Sequence, residues 1–246
     1  MPKKNLQKKT HLFLTVIAMF SLIIAILLSS FQIAIYGDSD YRFYEKEYVK
    51  YQVTEDLHMT IEDVMDVTEY MMDYLIGRKT ELSIETTIDG RVQDFFNEQD
   101  RLHMADVKNL FLGGLRLRTF LMITAVILLL ILAFLKADLK SLLFKAYSIS
   151  VGIFAALLVI LGIAFTIDFT KCFTIFHKMF FTNDLWMFDP ATDYMIRMLP
   201  EGFFSDMVLR IVAVFIAFLL LGIVIVFVIK KLPLSGKSKA RTSGKE

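Results

Sequence analysis

Four long apolar runs divide the chain, at residues 12–35, 115–135, 146–167 and 207–229. Their apolar residues form solid blocks, without the helical or alternating periodicity of half-buried elements in a soluble domain. A helix rises ~1.5 Å per residue, so about 20 apolar residues cross the hydrocarbon core of a bilayer. Each run is long enough to do so. The pattern therefore predicts an all-α membrane protein with four transmembrane helices.

The first apolar run follows a basic N-terminus, which is also the pattern of a cleaved signal peptide. The apolar region of a signal peptide usually has about 7–15 residues and ends at a small-x-small cleavage site. This run is longer, and the sequence SSFQIAIYG at its end is a poor cleavage site. We expect an uncleaved membrane anchor.

Residues 36–114 carry short-range signals of a folded segment between the first two spans. Thr60 precedes Asp63 in the spacing of a capping box, and the helical pattern that follows stops at Gly77. The pair Asp89-Gly90 separates two strand-like runs and favours a type I′ hairpin. About 80 residues with few large apolar side chains make only a thin core. The segment therefore reads as a small α+β cap on the membrane domain.

Two further helical features are expected around the second and third spans. Asn97 can cap a helix that ends at the pair Gly113-Gly114, where we expect a bend before the second span. Gly152 and Gly162 interrupt the third span, and small residues in membrane helices permit close helix contact.

Basic and acidic residues are segregated along the chain, although the total charge is only +1. Residues 1–11, 136–145 and 230–246 contain four, three and six Lys or Arg residues, with two acids among them. Residues 36–114 contain eight basic and eighteen acidic residues, and residues 168–206 are acidic as well. By the positive-inside rule the chain is N-in/C-in. The acidic cap and the second loop are then extracellular, and the tail from 230 is cytoplasmic and disordered.

Composition excludes several classes of function. The single cysteine, Cys172, cannot form an intrachain disulfide, and we assign it to packing. No glycine-rich phosphate loop is present, and the charge gives no sign of a nucleic-acid partner. The spans hold almost no ionisable residues and no repeat relates the two halves, which argues against an ion-coupled transporter.

The loop at residues 168–206 combines aromatic and polar residues in a way that suits a membrane interface. It contains the only tryptophan and the sequence FTIFHKMFFTNDLW around His177. The simpler interpretation of His177 is a histidine at a helix end in the membrane interface, with no catalytic role. Flanking rings lower the local dielectric, however, and Asn183 and Asp184 follow closely, so the setting can also tune an imidazole to act as a base.

The second candidate histidine, His103, lies in RLHMADVKNLF, where a helix would bring Asp106 to the same face. The simpler interpretation is that His103 and Asp106 form a solvent-exposed ion pair on the helix surface. Two histidines with neighbouring carboxylates on one side of the membrane leave two chemistries open: acid–base catalysis, and a metal site of His and Asp ligands. No metal-binding motif is present, so we predict neither a metal nor a cofactor. His58 and His11 receive no role.

The strings FNEQDRLHMADVKNLF and FTIFHKMFFTNDLWMFDPATDYMIRMLPEGFF, with YRFYEKEYVKY and the four-span layout, resemble a known family. The chain is similar to the four-span membrane proteins of Gram-positive bacteria that include the lipoprotein intramolecular transacylase. The resemblance implies an enzyme of the cell membrane that moves the sn-2 acyl chain of a diacylglyceryl-cysteine lipoprotein onto its own α-amine. The product would be a lyso-form lipoprotein. The partners implied are lipoproteins and membrane lipid, with no nucleotide.

The resemblance also implies that His103 and His177 are the catalytic residues, one from each outer loop. We hypothesise that His177 is the base toward the amine and that His103 protonates the glyceryl oxygen, with the reverse assignment equally open. Residues expected to support the histidines or polarise the ester are Asp106, Asn183, Asp184, Trp186 and Arg116, and those expected to line the substrate groove are Phe173, Phe176, Phe180 and Phe181. The alternative is a non-catalytic four-span scaffold or lipid-binding module that docks a partner through its outer loops.

One geometric difficulty stands against the pairing of the two histidines. On a straight helix, His103 would lie ~18 Å above Leu115, where the second span begins. The two rings then meet only if the loop with His177 rises from the membrane or the helix bends.

Overall fold

The computed structural model describes residues 2–232, and the remainder of the basic tail lies outside them. Most of the described chain is helical, with one two-stranded antiparallel sheet. In chain order the elements are α1 (Pro2–Tyr36), α2 (Arg42–Lys50), α3 (Val53–Leu57), α4 (Ile61–Leu75), β1 (Glu85–Ile88), β2 (Arg91–Asp94), α5 (Glu98–Phe134), α6 (Leu139–Ile167), α7 (Phe169–Phe180), α8 (Tyr194–Met198) and α9 (Glu201–Lys231).

Four of these helices, α1, α5, α6 and α9, are long and apolar enough to cross a membrane, which confirms the predicted number of spans. Helix α1 is the centre of the bundle because it packs against each of the other three, and α6 also packs against α9. The side chains that the bundle leaves exposed are large and apolar, as expected of surfaces that face lipid.

The cap between α1 and α5 forms as its short-range signals predict. Thr60 caps α4 by accepting a hydrogen bond from the Asp63 amide, and Gly77 follows the helix with φ of 84°. Asp89 and Gly90 both have positive φ, as a type I′ hairpin between β1 and β2 requires. The core of the cap continues into α8 and α9 through residues such as Phe203. The cap therefore shares its core with the membrane domain and is not an independent domain.

Helix α5 does not end at Gly113-Gly114, so the predicted end of that helix is wrong. It continues unbroken over 37 residues from the cap into the second span. A Cβ at Gly114 would lie in ordinary contact with Leu28 of α1, at 3.8 Å. Packing against α1 thus supports the helix through two residues that are individually poor helix formers.

Close helix contact occurs at a different glycine from those expected. A Cβ at Gly152 or Gly162 would meet nothing within 4 Å. A Cβ at Gly222 of α9 would instead collide with the ring and hydroxyl of Tyr147 of α6. Tyr147 is buried, and its hydroxyl donates a hydrogen bond of 3.0 Å to the carbonyl of Leu219. The sequence alone marks all three glycines alike; the partner side chain distinguishes them.

Substitution of Gly222 by alanine is therefore expected to lower stability by about 1–3 kcal/mol, the usual cost of overpacking a close contact. The added methyl group would displace Tyr147 and its hydrogen bond to Leu219. Gly162→Ala is the matched control, since its methyl group would enter open space on α6. Thermal unfolding of the two purified variants in the same detergent measures the difference, and equal melting temperatures would contradict the assignment.

The loop between α6 and α9 is mostly ordered as the helices α7 and α8. Asp168 ends α6 and begins α7, where its side chain accepts a hydrogen bond of 2.8 Å from the Lys171 amide. One face of α7 carries apolar side chains that are exposed on the protein surface: Ile175, Phe176, Met179 and Phe180. His177 is buried instead. Such an amphipathic helix is suited to lie against the acyl boundary of a bilayer.

Candidate active site

His103 of α5 and His177 of α7 lie side by side, although 73 positions separate them in the sequence. Their ring centroids are 6.0 Å apart and the ring planes differ by 28°. Both side chains are buried, at 5% and 7% of their full exposure. The loop between α6 and α9 lies against the start of α5, and α7 in that loop brings His177 to His103.

Aromatic rings enclose the two imidazoles. Phe181 and Phe188 approach His103 with centroid distances of 5.2 and 5.3 Å. Phe173 and Trp186 lie 4.1 and 5.0 Å from the ring of His177. Phe181 is shared, since it is also 5.6 Å from His177. The site is thus a small apolar chamber containing two basic nitrogen heterocycles.

A backbone hydrogen bond fixes the tautomer of neutral His177. Its Nδ1 lies 2.8 Å from the carbonyl oxygen of Phe173, one turn earlier on α7. A carbonyl only accepts, so Nδ1 must carry the proton and donate it. In the neutral ring Nε2 is then an unprotonated acceptor, the form needed in a general base.

Burial keeps both histidines neutral near pH 7. Desolvation, and then the neighbouring His177, lower the pKa of His103 to about 4, while Asp106 acts in the opposite direction. His103 precedes the predicted second span, on the part of α5 that belongs to the cap. Desolvation also lowers the pKa of His177, against a smaller opposing effect of the Phe173 carbonyl. Each ring therefore keeps one unprotonated nitrogen near pH 7, and this nitrogen can accept a proton during a reaction.

Polar bonds clamp the second loop onto the start of α5. The amide nitrogen of the Asn183 side chain donates to Asp106 at 2.9 Å. Gln99 donates to the carbonyls of Leu185 and Met187 at 3.1 and 3.0 Å. These bonds hold the segment that carries the enclosing rings against the helix that carries His103.

Several of the predicted supporting residues contribute in another way than expected. Asp106 bonds Asn183 and not Nδ1 of His103, which has no hydrogen-bond partner among the described residues. Asn183 and Trp186 are likewise engaged within the loop, because the indole N–H donates 2.9 Å to the Asn183 carbonyl. In this arrangement they shape the chamber, and the indole N–H of Trp186 is already bonded within the loop.

Other predicted residues lie outside the chamber. Within the described chain, the exposed carboxylate of Asp184 has no hydrogen-bond or ion-pair partner. Arg116 follows His103 by 13 residues on one continuous helix, or about 20 Å along its axis. Phe176 reaches the edge of His177 at 5.5 Å, whereas Phe180 contacts Phe176 and faces outward. Cys172 is a half-buried free thiol on α7.

Three polar residues near the site carried no individual signal in the sequence: Gln99, Asp100 and Asp193. Asp100 is fully buried at the N-terminus of α5, where it forms a reciprocal capping box with Asn97. The Asn97 side chain also bonds Asp193, which is buried as well. The capping box could have been read from the spacing of Asn97 and Asp100. The link to Asp193 could not, because it joins two loops far apart in the sequence.

The chemistry available here is proton transfer in a dry environment. The described residues contain no group of three or more His, Cys, Asp or Glu side chains that could hold a metal ion together. Three or four protein ligands are usual at catalytic and structural zinc sites, so the donor set does not fit one. Two adjacent neutral imidazoles, one with its tautomer fixed, fit an acid–base pair.

The chain is similar to known membrane proteins. The sequence model of a family described as lipoprotein intramolecular transacylase Lit matches residues 16–204. Crystal structures of the lipoprotein intramolecular transacylase Lit from Bacillus cereus have the same fold. One is 22% identical with a TM-score of 0.70, and the alignment covers 90% of this chain and 96% of that one. A histidine-to-arginine variant is 24% identical with a TM-score of 0.73, over 93% and 96% of the two chains. No match was found among curated protein sequences.

Proposed function

The chain belongs to the family of lipoprotein intramolecular transacylases and is a multi-pass membrane enzyme, and we propose that it acts on diacylglyceryl-modified lipoproteins. The reaction moves the sn-2 acyl chain from the glyceryl oxygen to the α-amine of the same lipidated cysteine. The observation that carries the proposal is the buried, ring-enclosed pair of His103 and His177.

In the proposed reaction the unprotonated α-amine attacks the ester carbonyl of the sn-2 chain. The new C–N bond forms, and the C–O bond to glycerol breaks from the tetrahedral intermediate. Nε2 of His177 removes the proton that the amine nitrogen must lose, since its Nδ1 is already committed to the Phe173 carbonyl. That proton passes from His177 to His103, and His103 gives it to the departing glyceryl oxygen, so both rings end the cycle neutral. The amine thus loses one proton and glycerol gains one.

No covalent acyl-enzyme is needed, because the nucleophile and the ester belong to one substrate. The enzyme chiefly has to fold the lipid back onto the peptide end and hold the two groups together. Such orientation contributes roughly 7–11 kcal/mol to lowering a barrier when the geometry is good. The apolar chamber also excludes water, which would otherwise hydrolyse the ester.

The acyl chains enter from the exposed apolar face of α7 in this proposal. Phe176 and Phe180 lie on that face, and Phe176 also reaches the edge of His177. The face therefore connects a lipid-contacting surface to the catalytic ring. Arg116, at the start of the second span, lies where a guanidinium can reach lipid headgroups, and we assign it to anchoring the helix there.

The catalytic chamber faces the outside of the cell in this proposal. The distribution of Lys and Arg, with the basic segments between the spans and at the ends, supports this orientation. Labelling with a membrane-impermeant maleimide tests it in a variant with Cys172→Ser and His58→Cys. Modification of intact cells is expected, and modification only after lysis would reverse the orientation.

Mass spectrometry of a lipoprotein's N-terminal lipopeptide tests the function. Cells that express this chain are expected to produce the lyso-form, with unchanged total acyl mass and one chain moved from oxygen to nitrogen. Cells without it should keep the diacylglyceryl anchor. The same unmodified anchor in both, with the protein present in the membrane, would contradict the proposal and favour the scaffold alternative.

A further inference from the structure

Two buried polar atoms on successive turns of α5 have no hydrogen-bond partner among the described residues. One is Oδ1 of Asp100 and the other is Nδ1 of His103. Asp100 has no exposed surface and His103 keeps 5% of its exposure. Leaving a buried polar atom without a partner is costly, so two of them three positions apart on one helix call for an explanation.

The helix brings these two side chains to one face. Residues three positions apart have Cβ atoms about 5–6 Å from each other. Helical side chains also lean toward the N-terminus, so an imidazole at position 103 can reach over the turn that contains Asp100. The carboxylate of Asp100 is held in place, since its Oδ2 accepts a hydrogen bond of 3.0 Å from the Asn97 amide in the capping box. Its second oxygen remains available for a donor.

We infer that Asp100 is a positioning residue for His103: its free carboxylate oxygen accepts the Nδ1 proton of the imidazole and stabilises the ring in its protonated form. The inference rests on the proposed function. It replaces the expected role of Asp106, whose carboxylate is bonded to Asn183. With Nδ1–H directed at Asp100, Nε2 is the nitrogen that exchanges protons with substrate or with His177, in either assignment of acid and base.

The charged groups around Asp100 set the pH range in which it can act. Burial, and to a smaller extent Asp193, raise the pKa of Asp100 to about 6, while the Asn97 amide and Arg101 oppose the shift. Asp100 is therefore mostly ionised at pH 7–8 and mostly protonated below pH 6. His103 also faces His177, which disfavours its positive charge, and Asp106, which favours it. Support of the imidazolium by Asp100 is expected above about pH 6 and is lost as pH falls through that value.

The substitution Asp100→Asn tests this inference. It keeps the capping box with Asn97, but it replaces the acceptor that faces His103 with a donor. The asparagine oxygen can still accept from the Asn97 amide, which turns the NH₂ group toward His103. An NH₂ group donates, so Nδ1 becomes an acceptor and the imidazole proton moves to Nε2. We expect conversion of a synthetic diacylglyceryl lipopeptide to fall by about 10²-fold at pH 8, the lower end of what a positioned acid–base group contributes.

Asp63→Asn is the matched control. Asp63 occupies the same third position of α4, bonded to its cap residue Thr60, with no histidine on the next turn. We expect full activity from it. The ratio of wild-type to Asp100→Asn rates should be about 10² at pH 8 and approach 1 below pH 6, and protonation of the substrate amine cancels in this ratio.

The thermal stability of Asp100→Asn shows whether Asp100 positions His103 or only stabilises the fold. Burial raises the folded-state pKa of Asp100 to about 6, above the ordinary value of an aspartate. Its contribution to stability is therefore fully present below that value and lost as pH rises through about 6. At pH 8 the variant should melt at the wild-type temperature or higher. A loss of activity that only follows a lower melting temperature would overturn the inference, as would a rate ratio independent of pH.

A measurement that does not depend on activity completes the test. Nitrogen-15 spectra of labelled histidine in the detergent-solubilised protein should report His103 protonated at Nδ1 in the wild type and at Nε2 in Asp100→Asn. The same tautomer in both would overturn the inference. An inactive wild type would instead contradict the proposed function, while the spectra would still decide the role of Asp100.

Discussion

Replacing His177 with phenylalanine is expected to lower conversion of a diacylglyceryl lipopeptide by roughly 10²–10⁴-fold, the usual contribution of a positioned acid–base group. The substitution removes Nε2, the only acceptor nitrogen that the neutral ring offers to the substrate amine, and the hydrogen bond to the Phe173 carbonyl. A phenyl ring retains the contacts with Phe173, Trp186 and Phe181 that close the chamber. The loss should therefore come from chemistry and leave folding intact.

The control for this variant is His58→Phe. His58 is also in the extramembrane cap, but its side chain is 70% exposed and pairs with Asp89 at 3.0 Å at the hairpin. It is expected to convert the lipopeptide at the wild-type rate. Mass spectrometry of the purified variants with one lipopeptide at pH 8 gives both rates. Wild-type activity in His177→Phe would contradict the assignment of His177, and equal losses in both variants would indicate a general effect on the folding of the extramembrane part.

Most of the fold was predictable because its signals are local. The four spans follow from solid apolar runs, and the capped helix at Thr60 and the hairpin at Asp89-Gly90 follow from side chains that bond their own backbone within a few residues. The same locality explains two wrong expectations. A glycine pair predicts the end of a helix only when nothing packs along it, and here α1 packs against α5. Glycines in a span predict close contact only where a partner side chain enters, as Tyr147 does at Gly222.

The two histidines of the candidate site were predictable from the sequence, but the contacts that surround them were not. His103 and His177 stand out by their neighbours in the sequence. That Asp106 bonds Asn183, and that Asp100 is fully buried, depends on how the second loop folds over α5. A contact between residues 77 positions apart leaves no spacing to read in a single sequence. The orientation of the chain and the catalytic role of the two histidines stay predictions that the experiments above test.

The double variant His103→Ala/His177→Ala is expected to be no slower than the slower of the two single variants. The two rings are 6.0 Å apart, share Phe181 as a wall and exchange one proton in the proposed reaction. Residues that act as one unit lose most of their joint effect when the first is removed. Each single variant should fall by about 10²–10⁴-fold, and the double variant should fall within the same range.

A different loss of rate is expected of the double variant if the two histidines act independently. If each histidine contributed without the other, the two losses would multiply to about 10⁴–10⁸-fold. The double variant His58→Ala/His177→Ala is the control, because His58 lies at the exposed hairpin and takes no part in the reaction. Its loss of rate should equal that of His177→Ala alone. All rates come from the same lipopeptide at pH 8, with melting temperatures measured in parallel. A multiplied loss in the His103 and His177 pair, from a protein that still melts like the wild type, would show that the two imidazoles do not pass a proton between them.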